Sequence, residues 1–149
     1  MLGFLGGTGE EGKGLAFRLA LAGESVTIGS RDASRAIEAA REVNDLLGQH
    51  VVAGADNLET AKASDIVFVT VPYSAQEMLL RDVREYLDSK IVIDVIAPMN
   101  FVRGVGAQAI NIDSGSESDV ADELLAESVV VSAFQNVSAA ELILAFLCM

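Results

Sequence analysis

Leu2-Gly3-Phe4-Leu5-Gly6-Gly7-Thr8-Gly9-Glu10-Glu11-Gly12 decides how the rest of the chain is read. Leu2 to Leu5 is a short apolar run that ends in glycines, as a buried parallel strand does. Glu11 to Leu21 then carries Leu15, Leu19 and Ala22 on one helical face, with Gly23 as a stop. Between the two, Gly7-Thr8-Gly9-Glu10-Glu11-Gly12 fits G-x-G-x-x-G. In that pattern Gly7 permits the tight turn, Gly9 lets the backbone approach a pyrophosphate, and Gly12 lets helix pack closely on strand. The helix N-terminus adds free N–H groups and a partial positive charge for the anion. Glycine-rich turns are common, so the pattern gains its weight from the order of elements downstream of it.

Strands and helices alternate there. Ser25–Ile28 reads as a second strand, and Ser34–Leu47 as a helix with Ile37, Ala40, Val43 and Leu47 inward. Val51–Ala53 is a weak third strand, and a short helix runs from Leu58 to Ala63. Ile66-Val67-Phe68-Val69-Thr70-Val71 is the clearest strand, stopped by Pro72. A helix from Ala75 to Tyr86 leads to the strand Ile91–Val95; after a long loop come helix Val120–Ala126, strand Val129–Val131 and a helix from Ala139 onward. The expectation is a Rossmann-type, doubly wound α/β fold. It has about six mainly parallel strands in an α/β/α sandwich, with any ligand at the carboxyl ends of the strands. Residues 1–149 are read as one such domain, since no linker or repeat divides them.

The end of the second strand selects the dinucleotide. NAD-binding versions carry an acid there for the ribose hydroxyls, whereas this chain has Ile28-Gly29-Ser30-Arg31. A hydroxyl and a guanidinium suit a 2′-phosphate that a carboxylate would repel, and Arg35 starts the next helix from the same side. NADP(H) is therefore the expected cofactor.

The spacing Gly6, Gly9, Gly12 also fits G-x-x-G-x-x-G, the loop of short-chain dehydrogenases, which use a Tyr-x-x-x-Lys pair. Tyr86 and Lys90 have that spacing, but Tyr86 closes a helix and Lys90 opens a strand. Both then fall at the amino-terminal edge of the sheet, away from a cofactor, and the spacing is read as coincidence.

Ten basic against twenty-two acidic residues give a net charge of −12. Such a surface repels nucleic acid and anionic membranes. Leu142–Met149 is apolar but far short of the ~20 residues a spanning helix needs. With no charged leader or cleavage site, and Cys148 as a lone thiol, the expectation is a cytoplasmic protein without a disulfide. No metal ligand set is read, and His50, the only histidine, is taken as solvated.

Beyond the loop, the chain resembles the NADPH-dependent reductases of the deazaflavin coenzyme F-420 (F420). The likeness runs from Leu5-Gly6-Gly7-Thr8-Gly9 through Gly12-Lys13-Gly14-Leu15-Ala16 and Arg18-Leu19-Ala20 to Ile28-Gly29-Ser30-Arg31. It continues in Ala63-Ser64-Asp65-Ile66-Val67, Thr70-Val71-Pro72, Lys90-Ile91-Val92 and Val130-Val131-Ser132-Ala133-Phe134. The resemblance implies that Thr8, Ser30, Arg31 and Arg35 hold the 2′-phosphate. It implies too that Thr70, Val71 and Pro72 line the nicotinamide side, and that Ala97 and Pro98 face the ring. Gln135 and Asn136 would meet the deazaflavin, with Gln135 where the family often has a histidine. Hydride passes between NADPH C4 and the deazaflavin C5, which asks for stacked rings rather than a catalytic acid or base, and no catalytic residue is assigned.

The family also continues into a helical segment that completes the substrate pocket and a dimer contact, whereas this chain stops at Met149. A truncated or frame-shifted chain and a minimal natural one are both consistent with that, and the apolar end favours self-association into a homo-oligomer. Three readings result: a reductase passing hydride between NADP(H) and F420, an NADP(H)-binding module without turnover, and a related NADP reductase with another acceptor.

Overall fold

The expected alternation is present, and the strands of the main sheet all pair in parallel. The computed structural model describes residues 1–102, 104, 106–110 and 117–147. Five βα units and one final strand and helix run in order: β1 (Leu2–Leu5), α1 (Glu10–Leu21), β2 (Val26–Ser30), α2 (Ala33–Leu47), β3 (Val52–Asp56), α3 (Asn57–Ala63), β4 (Ile66–Val69), α4 (Tyr73–Val83), β5 (Ile91–Asp94), then α5 (Glu117–Leu124). A 3-10 turn, Arg84–Tyr86, prolongs α4, and a two-stranded antiparallel hairpin, β6 (Met99–Val102) and β7 (Gly106–Ala109), sits between β5 and α5. The chain closes with β8 (Val129–Ser132) and α6 (Ala139–Leu147). The six-stranded sheet has the order β3-β2-β1-β4-β5-β8. Strand order therefore reverses between β1 and β4, where a crevice opens at the carboxyl edge of such sheets.

Alternating side chains feed two cores. Phe4 points to one face with Phe17, Val26, Ile28 and Val43, whereas Leu5 points to the other with Val67, Val69, Leu80 and Val92. Phe4 and Phe68 are register partners on β1 and β4, and their rings stack at 4.5 Å. Each such fully buried large side chain stabilises the fold by about 1.5–3 kcal/mol. The α6 helix packs on α1, where the Arg18 guanidinium donates to the carbonyls of Leu142 and Glu141.

Three expectations need correction. Ile37 is 57% exposed; the small residues Ala36, Ala39 and Ala40 face the sheet instead. A Cβ on Gly54 of β3 would stand 2.5 Å from the Ala36 backbone, so helix and strand approach too closely for an isoleucine between them. Ala22 is exposed at the end of α1 rather than on its buried face. The stretch after β5, expected as loop, holds the β6–β7 hairpin. Cys148 and Met149 lie outside the described residues.

Beyond these, Asn44 ties α2 to β3. Its carboxamide accepts from the N–H of Val51 and Val52 at 3.0 and 2.9 Å and donates to the Val52 carbonyl at 2.8 Å. Among the described residues no helix is long and apolar enough to cross a membrane.

Candidate functional site

The turn after β1 is made at Gly6, one residue before the position expected for it. Gly6 has φ +68, and a Cβ there would strike Val71, so glycine is required twice over. The Gly7 N–H then donates to the carbonyls of Phe4 at 3.3 Å and Gly29 at 3.0 Å, locking the loop to β2. Gly12 acts as the pattern predicts: a Cβ on it would lie 2.6 Å from the Gly7 Cα, so helix and loop touch backbone to backbone. At Gly9 nothing lies within 4 Å of where a Cβ would stand. Among the described residues no side chain caps α1, and its first-turn N–H groups have no partner within the helix.

A cavity of about 740 Å³ opens at the carboxyl ends of β1 to β4, across the reversal of strand order. Thr8, Gly9, Ser30, Arg31, Arg35, Thr70, Val71 and Pro72 line it, together with Gly6. Arg31 and Arg35 are exposed and form no ion pair among the described residues. The nearby carboxylate of Asp32 is turned away to cap α2, accepting from the Ser34 N–H at 2.9 Å and hydroxyl at 2.7 Å. Those bonds hold its carboxyl below the usual range. Thr70 is fixed by its hydroxyl and N–H, both donating to the Leu5 carbonyl at 3.0 Å.

Other expected residues stand elsewhere. Glu10 pairs with Lys13 at 3.1 Å, and Lys13 also reaches Glu42 of α2. Glu11 has a buried oxygen without a partner among the described residues, and burial raises its carboxyl pKa. Ala97 and Pro98 are half-buried and lead into the hairpin, outside the cavity. Gln135 and Asn136 are exposed beyond β8. Phe134 takes φ +73, uncommon for a bulky residue, and Gln135 donates to the Asp94 carbonyl and the Ser132 hydroxyl, both at 2.8 Å. Lys90 donates to the carbonyls of Ala61 and Lys62, and Tyr86 lies under Lys62, so neither enters the cavity.

The cavity also holds residues that sequence reasoning missed: Asp56, Asn57, Leu58, Ala75, Met78, Leu79, Asp82 and Val83. Had β3 been extended to its true end, the carboxyl-edge rule would have drawn attention to Asp56 and Asn57.

Asp94, at the end of β5, is 1% exposed and accepts from Gln76 at 2.8 Å and from the Ile96 N–H at 3.1 Å. Burial outweighs those bonds and raises its pKa. A carboxyl whose folded-state pKa is raised costs stability as pH climbs from its ordinary value through the raised one. Asp94→Asn should therefore flatten the fall in melting temperature across that interval, above about pH 4. An unchanged slope would show that Asp94 does not titrate in that interval.

A family model described as "NADP oxidoreductase coenzyme F420-dependent" matches residues 1–98. The "F420-dependent NADP reductase" of Methanothermobacter marburgensis is 41% identical over 93% of this chain and 64% of its own length. Its namesake from Methanothermobacter thermautotrophicus is 39% identical over 93% and 62%. The chain thus spans less than two thirds of these curated relatives. Among solved structures, a candidate F420-dependent NADP reductase from Arthrobacter sp. FB24 superposes with a TM-score of 0.78, at 25% identity over 94% of this chain and 64% of that one.

Proposed function

This chain belongs to the coenzyme F420-dependent NADP oxidoreductase family, and from that premise we propose that it moves a hydride between NADP(H) and the deazaflavin coenzyme F420. One observation carries the reading: the uncapped start of α1 opens into the same cavity as Arg31 and Arg35, which form no ion pair among the described residues. The first suits a diphosphate, the second a 2′-phosphate. Thr8 and Gly9 would hold the diphosphate; Ser30, Arg31 and Arg35 would hold the 2′-phosphate; and the apolar wall of Leu58, Met78 and Leu79 suits the adenine. Thr70, Val71 and Pro72, at the crossover of strand order, would border the nicotinamide. Ala97 and Pro98 after β5, with Gln135 and Asn136 after β8, would border the second ring.

When bound, NADPH supplies the hydride; the chain's own work is to hold two rings in contact and keep water out. No side chain has to gain or lose a proton in that step. A titration with NADPH and NADH, followed by a coupled assay of deazaflavin absorbance, tests this. The expected result is tight NADPH binding, weak NADH binding and bleaching or recovery of the deazaflavin band. NADPH binding without turnover would reduce the function to cofactor binding, and no binding would overturn the reading.

We read residues 1–149 as one cofactor-binding domain of the cytoplasm. The −12 charge supports a protein without affinity for nucleic acid or anionic membranes. Exposed Val129 and Val131 on the edge strand β8 support self-association, which sedimentation of the 15.6 kDa chain reads directly.

A further inference from the structure

We propose that Asn57 is a positioning residue with two working faces: its Oδ1 holds the turn of the glycine loop, and its Nδ2 is presented to a phosphate of the bound dinucleotide. The second half rests on the function proposed above; the first stands on the fold alone.

Asn57 is the first residue of α3, directly beyond β3, and only 8% exposed. Its Oδ1 accepts from the Gly6 N–H at 3.0 Å, across 51 residues of chain. Gly6 is the residue whose positive φ makes the turn, so the bond falls where the loop changes direction. The same oxygen lies 2.9 Å from where a Cβ on Gly29 would stand, so the end of β2 passes against it with no room for a side chain. Gly29 in turn takes the Gly7 N–H on its carbonyl. One carboxamide thus sits where the loop after β1 meets the strand that delivers Ser30 and Arg31. Those two segments supply the proposed diphosphate and 2′-phosphate contacts.

The other end of the carboxamide is free. Among the described residues Nδ2 has no hydrogen-bond partner and is not fully buried, and Asn57 lines the cavity. An amide donor at the edge of an anion site invites a phosphate oxygen and aligns it without adding charge. Asp56, its neighbour, lines the same cavity, but its carboxylate is occupied by the Glu59 N–H at 2.8 Å. The type of residue at position 57 therefore matters in a way that its size does not. An aspartate there could still accept from Gly6, but it would turn a carboxylate towards the phosphate.

Asn57→Asp and Asn57→Ala separate the two faces. Asn57→Asp should keep a melting temperature close to that of the unchanged protein, whereas Asn57→Ala should lower it, because only alanine leaves the Gly6 N–H unmet. NADPH binding should rank the other way, with Asn57→Asp weaker than Asn57→Ala by roughly 10-fold at pH 8, through like-charge repulsion. That ratio should shrink as pH falls and the introduced carboxyl takes up a proton, which burial and the neighbouring phosphate favour. The 2′-phosphate titrates near pH 6, but it does so for both variants, and the charged groups around the cavity, Asp56, Asp82, Arg31 and Arg35, are the same in both. A ratio near one at every pH would overturn the ligand-facing half. A melting temperature as low for Asn57→Asp as for Asn57→Ala would overturn the loop-holding half. Failure of the unchanged protein to bind NADPH would instead overturn the proposed function and the ligand-facing half with it, while the melting comparison still decides the loop.

Discussion

Replacing Arg31 by alanine is expected to weaken NADPH binding by about two orders of magnitude while changing NADH binding by less than about threefold. A guanidinium that donates to a phosphate in a partly enclosed cavity contributes about 1.5–3 kcal/mol, which is roughly 10- to 150-fold in affinity. Arg31 is free to make that contact because it comes directly after Ser30 at the end of β2 and has no ion-pair partner among the described residues. The one acid beside it, Asp32, is held on the Ser34 N–H and hydroxyl, so it neither neutralises Arg31 nor lines the cavity. Arg35 lines the same cavity one helical turn on and should keep part of the affinity. The double replacement should therefore exceed the single one. NADH lacks the 2′-phosphate and serves as the internal control in a fluorescence titration of both cofactors. Equal losses for NADH and NADPH would place Arg31 away from the 2′-phosphate and remove the ground for preferring NADP.

How much of this was legible in the sequence varies with what each residue is asked to do. The β4 run was plain because a strand buried on both faces has to be apolar throughout, and Val67, Phe68 and Val69 are all buried. Ser30 and Arg31 were legible because they end a strand of known place in a known topology, and the structure sets both in the cavity. The inward face of α2 was misjudged for a packing reason. Hydrophobic periodicity gives Ile37 more weight than Ala36, but close contact with Gly54 selects the smallest residue. The same economy of side chain blurred the far end of β3, whose Val52-Ala53-Gly54-Ala55-Asp56 carries a single β-branched residue. With β3 cut short, Asp56 and Asn57 fell into an unassigned stretch and their place at the cavity was invisible. The Gly6 turn was missed because two glycine spacings overlap in one loop, and only backbone geometry shows which residue takes the positive φ.

Those overlapping glycines also permit a separation that few sites offer, because Gly9 and Gly12 are constrained by different things. A Cβ at Gly9 would meet nothing within 4 Å, and its backbone, at φ −78 and ψ 170, is extended and needs no glycine. Gly9→Val should therefore lower the melting temperature by no more than about 4 °C, the cost of a poorer N-cap for α1. Its methyl groups would instead stand where the proposed diphosphate approaches the first turn of α1. NADPH affinity should fall by roughly 100-fold or more, as several backbone hydrogen bonds are lost together. Gly12→Ala should behave in the opposite order. Its Cβ would lie 2.6 Å from the Gly7 Cα and 2.7 Å from the Gly7 carbonyl oxygen, both backbone atoms, so helix and loop must part. Overpacking of that kind costs about 1–3 kcal/mol, several degrees of melting temperature in a chain of this size, and binding should weaken only as the loop is displaced. Thermal unfolding and NADPH titration of the two variants side by side distinguish a residue kept small for a ligand from one kept small for the fold. If Gly9→Val bound NADPH as the unchanged protein does, the diphosphate would not lie on α1, and the cavity would have to be reassigned around Asn57 and Asp56.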